Sequence, residues 1–424
     1  MPIVRPTRPL VPPGLTLLLL FFLSFHLSAD DMGKSPSGVR YHGGDEILLQ
    51  AFHWNIVRTN PSRWYDDLLA KVPSIVDLGV TMVWLPPPWR DDSTWEDKQK
   101  GLSGGREGYF WHSFDLNSHY GSRESLERLV AGLNEAGLKV IFDIVPNHRN
   151  YKYGTDWMGS GWEYPGPAWA VGGGDEALPF MQGDADLATG SAVVRETLAS
   201  QLTELAKLGA VGFRWDFVKG FHAETVDIWM GKVLDQGFSV GELWLPDTSQ
   251  DPLYTWSVKA RSTVFDFALK QQINTGIAAN LRYGLNANPE RDWRERAVTF
   301  VDNHDTGASP PGEHGGQKHW PAPANFRDLA QVFVLISPGT PSVYWPDAFD
   351  WGRYELIRSL VKLRREAGVV AASTISFEDG VKGLAGTVYG RKAGIAFALH
   401  SDWTPDDAPE PRLEGSWGKV WLLP

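Results

Sequence analysis

Ala210-Val211-Gly212-Phe213-Arg214-Trp215-Asp216-Phe217-Val218-Lys219-Gly220 begins apolar and ends charged. Its first four residues predict a short buried strand, with Arg214 and Asp216 following at the carboxyl end. Side chains two apart share one face of a strand. The Arg214 guanidinium is therefore expected beside the Asp216 carboxylate, holding it ionised at neutral pH. An oriented, ionised carboxylate at a strand end is what a nucleophile for covalent catalysis requires. An Arg-x-Asp pair on its own is more often a structural ion pair. What decides between the two readings is the chemistry at the other strand ends.

Seven more apolar runs, each ending in a polar cluster, share the chain with residues 210–218. They are residues 46–52, 81–86, 139–145, 238–244, 262–269, 297–302 and 339–345. Amphipathic stretches at 122–136, 192–208 and 325–336 lie between several of them. Eight parallel-type strands alternating with helices predict an α/β fold, a (β/α)8 TIM barrel spanning residues 30–367. Two stretches break the alternation. Residues 91–108 form a polar loop whose Gly101-Leu102-Ser103-Gly104-Gly105 lacks the Gly-Lys-Ser/Thr of a phosphate loop. Residues 149–186, rich in Gly, Pro and Trp, predict a small inserted loop domain after the third strand, over the barrel mouth. From residue 368 to 424 short strands at 375–378, 387–389, 395–399 and 419–423 predict a closing antiparallel β domain.

Residues 1–29 are set apart from the fold. Arg5 and Arg8 precede an apolar run at 15–25, and Leu27-Ser28-Ala29 offers a small residue for cleavage. That pattern predicts a secretory signal peptide and a secreted chain, extracellular or periplasmic. A net charge of −11 over 424 residues argues against nucleic-acid or anionic-membrane partners. With no cysteine, an exported chain must rely on its core, with bound metal as an optional addition. The 20 Trp supply core, and flat amphipathic rings of that kind also stack on sugar faces.

The strand ends are where chemistry gathers in this fold. The third ends Asp143-Ile144-Val145-Pro146-Asn147-His148, and the fifth Gly241-Glu242-Leu243-Trp244. The seventh ends Val301-Asp302-Asn303-His304-Asp305. Three carboxylates, Asp216, Glu242 and Asp305, are thus expected on one rim. Glycosyl transfer with retention needs an ionised carboxylate as nucleophile and a protonated carboxyl as acid/base. Glu242, flanked by Leu243 and Trp244, has the less polar surroundings that keep a carboxyl protonated. Asp216 beside Arg214 has the opposite surroundings.

Asp143-x-x-x-Asn147-His148, Gly212-Phe213-Arg214-x-Asp216, Gly241-Glu242 and Asn303-His304-Asp305 resemble, in order and spacing, the four signature regions of the α-amylase family, glycoside hydrolase family 13. Further stretches resemble its maltotetraose-forming, exo-acting branch. They are residues 42–50, Gly108-Tyr109-Phe110-Trp111-His112, Gly183-Asp184-Ala185-Asp186-Leu187, and Pro338-Gly339-Thr340-Pro341 leading to Tyr344-Trp345. The resemblance implies a retaining hydrolase of α-1,4-glucosidic bonds in starch and maltooligosaccharides, acting as a monomer. It implies Asp216 as nucleophile, Glu242 as acid/base and Asp305 as the stabilising carboxylate. Trp54, Trp95, Tyr109, Phe110, His148, Arg214, Lys219, Trp244 and His304 would line the sugar subsites. Asp184 would grip the non-reducing-end glucose and limit the product to four units.

The resemblance also implies calcium, a cation that takes hard oxygen ligands. Asn147, Asp175, Asp186 and the Gly220 carbonyl would pin the insertion to the barrel, although Leu178 stands where the family has a further aspartate. Asp30, His42, Asp45 and Glu46 resemble a second calcium site of the maltotetraose-forming branch. Zinc is not indicated, since the chain has no cysteine and no His-Glu-x-x-His. The insertion is shorter than that branch leads one to expect, so an endo-acting α-amylase giving mixed products is the neighbouring reading. A non-catalytic sugar-binding barrel is the reading from another class, and the three rim carboxylates argue against it.

Overall fold

The strands follow the chain as β1 (Leu48–Gln50), β2 (Met82–Leu85), β3 (Lys139–Ile144), β4 (His148–Arg149) and β5 (Ala185–Asp186). Next come β6 (Ala210–Trp215), β7 (Phe238–Gly241), β8 (Thr263–Phe265), β9 (Ala297–Phe300) and β10 (Thr340–Tyr344). β11 (Thr374–Phe377), β12 (Leu384–Tyr389), β13 (Gly394–Leu399), β14 (Leu413–Gly415) and β15 (Gly418–Leu423) complete the set. The structure is a computed structural model and describes residues 38–40, 44–93, 105–150, 185–246, 248–311 and 316–424.

β1, β2, β3, β6, β7, β8, β9 and β10 are joined side by side, all parallel, and β10 returns to β1 to close a barrel. Each lies inside one of the eight predicted runs. These runs read as unbroken apolar stretches because helices cover the outside while the barrel fills the inside. The filling is direct: Trp84 of β2 meets Phe265 of β8 with ring centroids 5.5 Å apart. Those strands are not neighbours, so the contact crosses the barrel. The barrel is a packed core with no channel at that level.

Helices on the outer wall have local causes. Ser122 accepts the Ser125 N–H and so caps the helix Arg123–Glu135. The helix Arg327–Ile336 is buried along nearly its whole length, because the C-terminal sheet covers its outer side: Phe333 meets Phe397 of β13 edge-on at 6.2 Å. Fully buried Arg364, near the end of the helix Tyr354–Ala367, donates to the carbonyls of Leu335, Ser337 and Gly339. That one side chain fastens the last helix to the entry of β10.

The C-terminal sheet is antiparallel, in the order β11-β12-β13-β15-β14. Four of its strands match expectation, and β14 does not. It is three residues long, mostly exposed and at an edge, so no alternation marks it in the sequence. β4 and β5 pair antiparallel, His148 opposite Asp186, and bring the two ends of the predicted insertion together. Residues 151–184 between them, and the expected signal peptide, lie outside the described residues. No helix among the described residues is long and apolar enough to cross a membrane.

Candidate active site

The register of the barrel assembles the charged cluster. Asp143 of β3 pairs with Arg214 of β6, and Trp215 pairs with Gly241 of β7. Ladder hydrogen bonds carry the pattern one residue past the strands: the Asp216 N–H donates to Ile144 O and the Glu242 N–H to Trp215 O. Three neighbouring strands therefore deliver Asp143, Asp216 and Glu242 to one level. Arg214, with no exposed surface, binds all three. Its Nη1 lies 2.8 Å from Asp143 Oδ1 and 2.6 Å from Asp216 Oδ1, and its Nη2 lies 3.0 Å from Glu242 Oε1. The contact with Glu242 is a charge contact rather than an aligned hydrogen bond, since neither atom has a hydrogen-bond partner. Asp143 is fixed further by Tyr109 OH at 2.8 Å and Trp84 Nε1 at 3.2 Å. Phe217 takes a left-handed backbone, φ 49, and its N–H donates to Glu242 Oε2 at 3.3 Å. A bulky residue in that conformation is held there by its surroundings.

The electrostatics differ from the expectation in one respect. Arg214 was expected to serve Asp216 and leave Glu242 in apolar surroundings, yet it serves both. Burial pushes both carboxyls up, and Arg214 opposes the rise in each. Lys219 opposes the rise in both as well, while the charge on Asp216 raises Glu242 further. Two buried acids this close do not both ionise. The arrangement favours one charge and one proton shared between Asp216 and Glu242. Asp305 stands well above the usual carboxylate range, pushed chiefly by burial.

A cleft of about 560 Å³ opens over the cluster, lined by Trp54, Tyr109, Phe110, His148, Asp216, Phe217, Lys219, Trp244 and Asp305, and closed by Leu245, Pro246, Gln317 and His319. Its floor is a stack of rings: Trp54, Tyr109 and His304 lie within 5.2–5.5 Å of one another, nearly parallel. Trp244 stacks on Phe267 at 5.5 Å and on Trp320 at 6.2 Å, and Lys219 Nζ donates to its carbonyl. Apolar faces interleaved with acids suit a ligand whose rings have apolar faces and hydroxyl edges.

The predicted residues fall into three groups. Trp54, Tyr109, Phe110, His148, Asp216, Lys219, Trp244 and Asp305 line the cleft, and Glu242 sits beneath it. Arg214 and His304 were expected to line the subsites, but both are fully buried and back the lining instead. The His304 ring is held by Gln50 at 2.8 Å, and its Nε2 lies 3.4 Å from Asp305. Burial moves His148 down to about 4, so its ring is neutral near pH 7. Trp95, Asp184, Asp175, Asp30 and His42 lie outside the described residues. Sequence reasoning missed Phe217, Leu245, Pro246, Gln317 and His319. The first follows Asp216 directly, and the rest sit on loops without periodicity.

Among the described residues no three His, Cys, Asp or Glu side chains gather into a metal-holding group. Asn147 still offers one hard donor, because its buried Oδ1 has no hydrogen-bond partner. Gly220 keeps that oxygen clear, since a Cβ there would lie 2.0 Å from it. The β4–β5 ladder brings Asp186 to the same place in the chain path. Glu46 is differently engaged: its carboxylate binds Lys139 and Thr81 below β1, at the barrel end away from the cleft. Asp45 beside it is exposed.

Known proteins match over most of the chain. The alpha amylase catalytic domain family matches residues 65–165, and the family "Glucan 1,4-alpha-maltotetraohydrolase, domain C" matches residues 349–407. The glucan 1,4-alpha-maltotetraohydrolase of Roseateles saccharophilus is 44% identical over 91% of this chain and 73% of its own length. That of Stutzerimonas stutzeri is 44% identical over 91% and 74%. The probable alpha-amylase 2 of Arabidopsis thaliana is 28% identical over 90% and 92%. The crystal structure of an Anoxybacillus alpha-amylase superimposes with a TM-score of 0.67 at 18% identity, covering 92% of this chain and 96% of that one, a likeness of fold. With the curated relatives aligned along nine-tenths of its length, the chain belongs to the alpha-amylase family, among the glucan 1,4-alpha-maltotetraohydrolases.

Proposed function

We propose that this protein hydrolyses α-1,4-glucosidic bonds of starch and maltooligosaccharides with retention of configuration, acting from chain ends and releasing maltotetraose. The observation that carries the chemistry is the pair Asp216 and Glu242 on the two arms of one guanidinium beneath an aromatic cleft. Retaining hydrolysis requires two carboxyls about 5–5.5 Å apart, one ionised and one protonated. In the first half-reaction Glu242 gives its proton to the glycosidic oxygen as Asp216 Oδ2 attacks the anomeric carbon. The C–O bond to the leaving chain breaks and a glycosyl ester on Asp216 forms. In the second half, Glu242 removes a proton from water, which attacks the same carbon and frees Asp216. Asp305, protonated and at the cleft edge, would donate to sugar hydroxyls and hold the ring in its strained transition-state form.

The exo action and four-unit product rest on the kinship with the maltotetraohydrolases and on Asp184. Calcium, where bound, would supply a structural cross-link through Asn147, Asp186 and the Gly220 carbonyl, with Asp175 as a further donor. Its supporting observation is the unpartnered Asn147 oxygen. Secretion through the N-terminal signal and a monomeric state complete the reading. A time course of products from soluble starch tests it. Maltotetraose should dominate from the first minutes, released as the α-anomer by NMR. An initial ladder of mixed oligosaccharides would replace exo with endo action, and a β-anomeric product would rule out retention.

A further inference from the structure

Tyr109 and Phe110 enter the cleft from a stretch that belongs to no strand or helix, so their position has to be set by something else. Behind that stretch lies Asp91, 1% exposed and absent from the cleft lining. Its Oδ2 accepts the backbone N–H groups of Gly108 at 3.0 Å and Phe110 at 3.3 Å, the two residues flanking Tyr109. Its Oδ1 accepts the Ser93 N–H at 2.9 Å. From the other side the stretch is pressed onto Pro87, just beyond β2. Gly108 has φ +92, and a Cβ there would lie 2.7 Å from Pro87 Cβ and 3.0 Å from Pro87 O. Burial pushes the Asp91 carboxyl up to about 7, and the hydrogen bonds from Ser93 and from the cleft-wall amide of Gly108 oppose that rise.

The two aromatic residues depend on this anchor unequally. Tyr109 has independent ties, through its hydroxyl to Asp143 and by stacking on Trp54 and His304. Phe110 has its ring against His148 at 5.2 Å and its amide on Asp91. The geometry points to Asp91 as a positioning residue for glucan binding, one that fastens residues 108–110 so that Phe110 forms a fixed wall of the cleft. This rests on the cleft being the glucan site. Loosening the fastening should weaken substrate binding much more than the chemical step, because the Asp216–Glu242–Arg214 cluster is held by other contacts.

The test uses the full chain with Asp91→Asn and Gly108→Ala, which disturb the same stretch from opposite sides. An amide cannot accept at both of its termini. Each variant is expected to raise KM for maltohexaose at least tenfold, with kcat within threefold of wild type. Hydrogen exchange at the amides of residues 108–110 should quicken at least a hundredfold in Asp91→Asn, with or without substrate. A folded Asp91→Asn with unchanged exchange and KM overturns the inference, as does a lowered Tm with KM untouched. If Asp91→Asn does not fold, Gly108→Ala decides: KM within twofold of wild type sinks the idea. A wild-type protein inert toward every α-glucan, with quickened exchange in Asp91→Asn, would sink the glucan reading and leave the fastening in place.

Discussion

Asp216 and Glu242 share one guanidinium, so separate surroundings do not distinguish the roles proposed for them. The proposed proton on Glu242 and charge on Asp216 have two consequences for rate. As pH falls, Asp216 takes up a proton and the nucleophile is lost; as pH rises, Glu242 gives its proton up and the acid is lost. The profile of kcat/KM should therefore be bell-shaped, with both limbs above the range of free carboxyls because burial raises both groups. Removing the acid alone gives the sharper test. Glu242→Gln should slow hydrolysis of maltooligosaccharides by about 10²–10⁴-fold, the usual contribution of a positioned proton donor. Maltotetraosyl fluoride needs almost no protonation to leave, so the same variant should form the glycosyl ester from it nearly as fast as wild type. Asp216→Asn should fail on both substrates. An equal loss on both substrates in Glu242→Gln would remove Glu242 from the acid role.

The barrel strands were legible because each is an apolar run closed by a polar motif, and the motifs Arg214-x-Asp216 and Gly241-Glu242 mark where strands end. Less visible was whatever depends on contacts between distant segments. Nothing local announces that Arg214 would reach Glu242, that Asp91 would take the amide of Phe110, or that Gln317 and His319 would close the cleft. β14 escaped because three mostly exposed edge residues carry no period. The junction of β3 with the turn after β6 makes a prediction at this scale. Asn147 lies three residues past the first and Gly220 ends the second, and the buried side-chain oxygen of Asn147, without a hydrogen-bond partner, faces Gly220. A cation that binds only the folded chain stabilises it by mass action, about 2.7 kcal/mol at a hundredfold excess over Kd. EDTA is thus expected to lower the Tm of the wild-type protein, and Asn147→Ala to melt lower in calcium and respond little to EDTA. Identical wild-type melts with and without chelator would remove calcium from this junction.

Across the molecule the barrel buries several acids that do not line the cleft, and their protons tie global stability to pH. Burial pushes Asp347 up to about 7 and Asp266 up to about 6. A group of this kind keeps its proton in the folded chain while the unfolded chain loses it near 3.8, so the unfolded state holds fewer protons between those values. Stability from such a group is full below about pH 4 and falls as pH rises toward 7. His53, held down to about 3 by burial, acts in the opposite sense: its contribution is present above about 6.5 and lost as pH falls. These terms oppose one another over much of the acidic range, so a wild-type melting curve alone does not isolate either. A difference measurement does. Asp347 is 1% exposed, with Arg353 Nη1 at 3.3 Å and Gln331 Nε2 at 3.0 Å. Asp347→Asn keeps the shape and removes the titration, with a neutral amide in place of a neutral carboxyl and hence a cost that does not vary over this range. The Tm of the variant relative to wild type should therefore climb steadily from pH 4 to pH 7, by up to about 1.4 kcal/mol of stability per pH unit, and level off above. A Tm difference that stays flat across that range would mean that Asp347 is ionised in the folded protein, with Arg353 outweighing its burial.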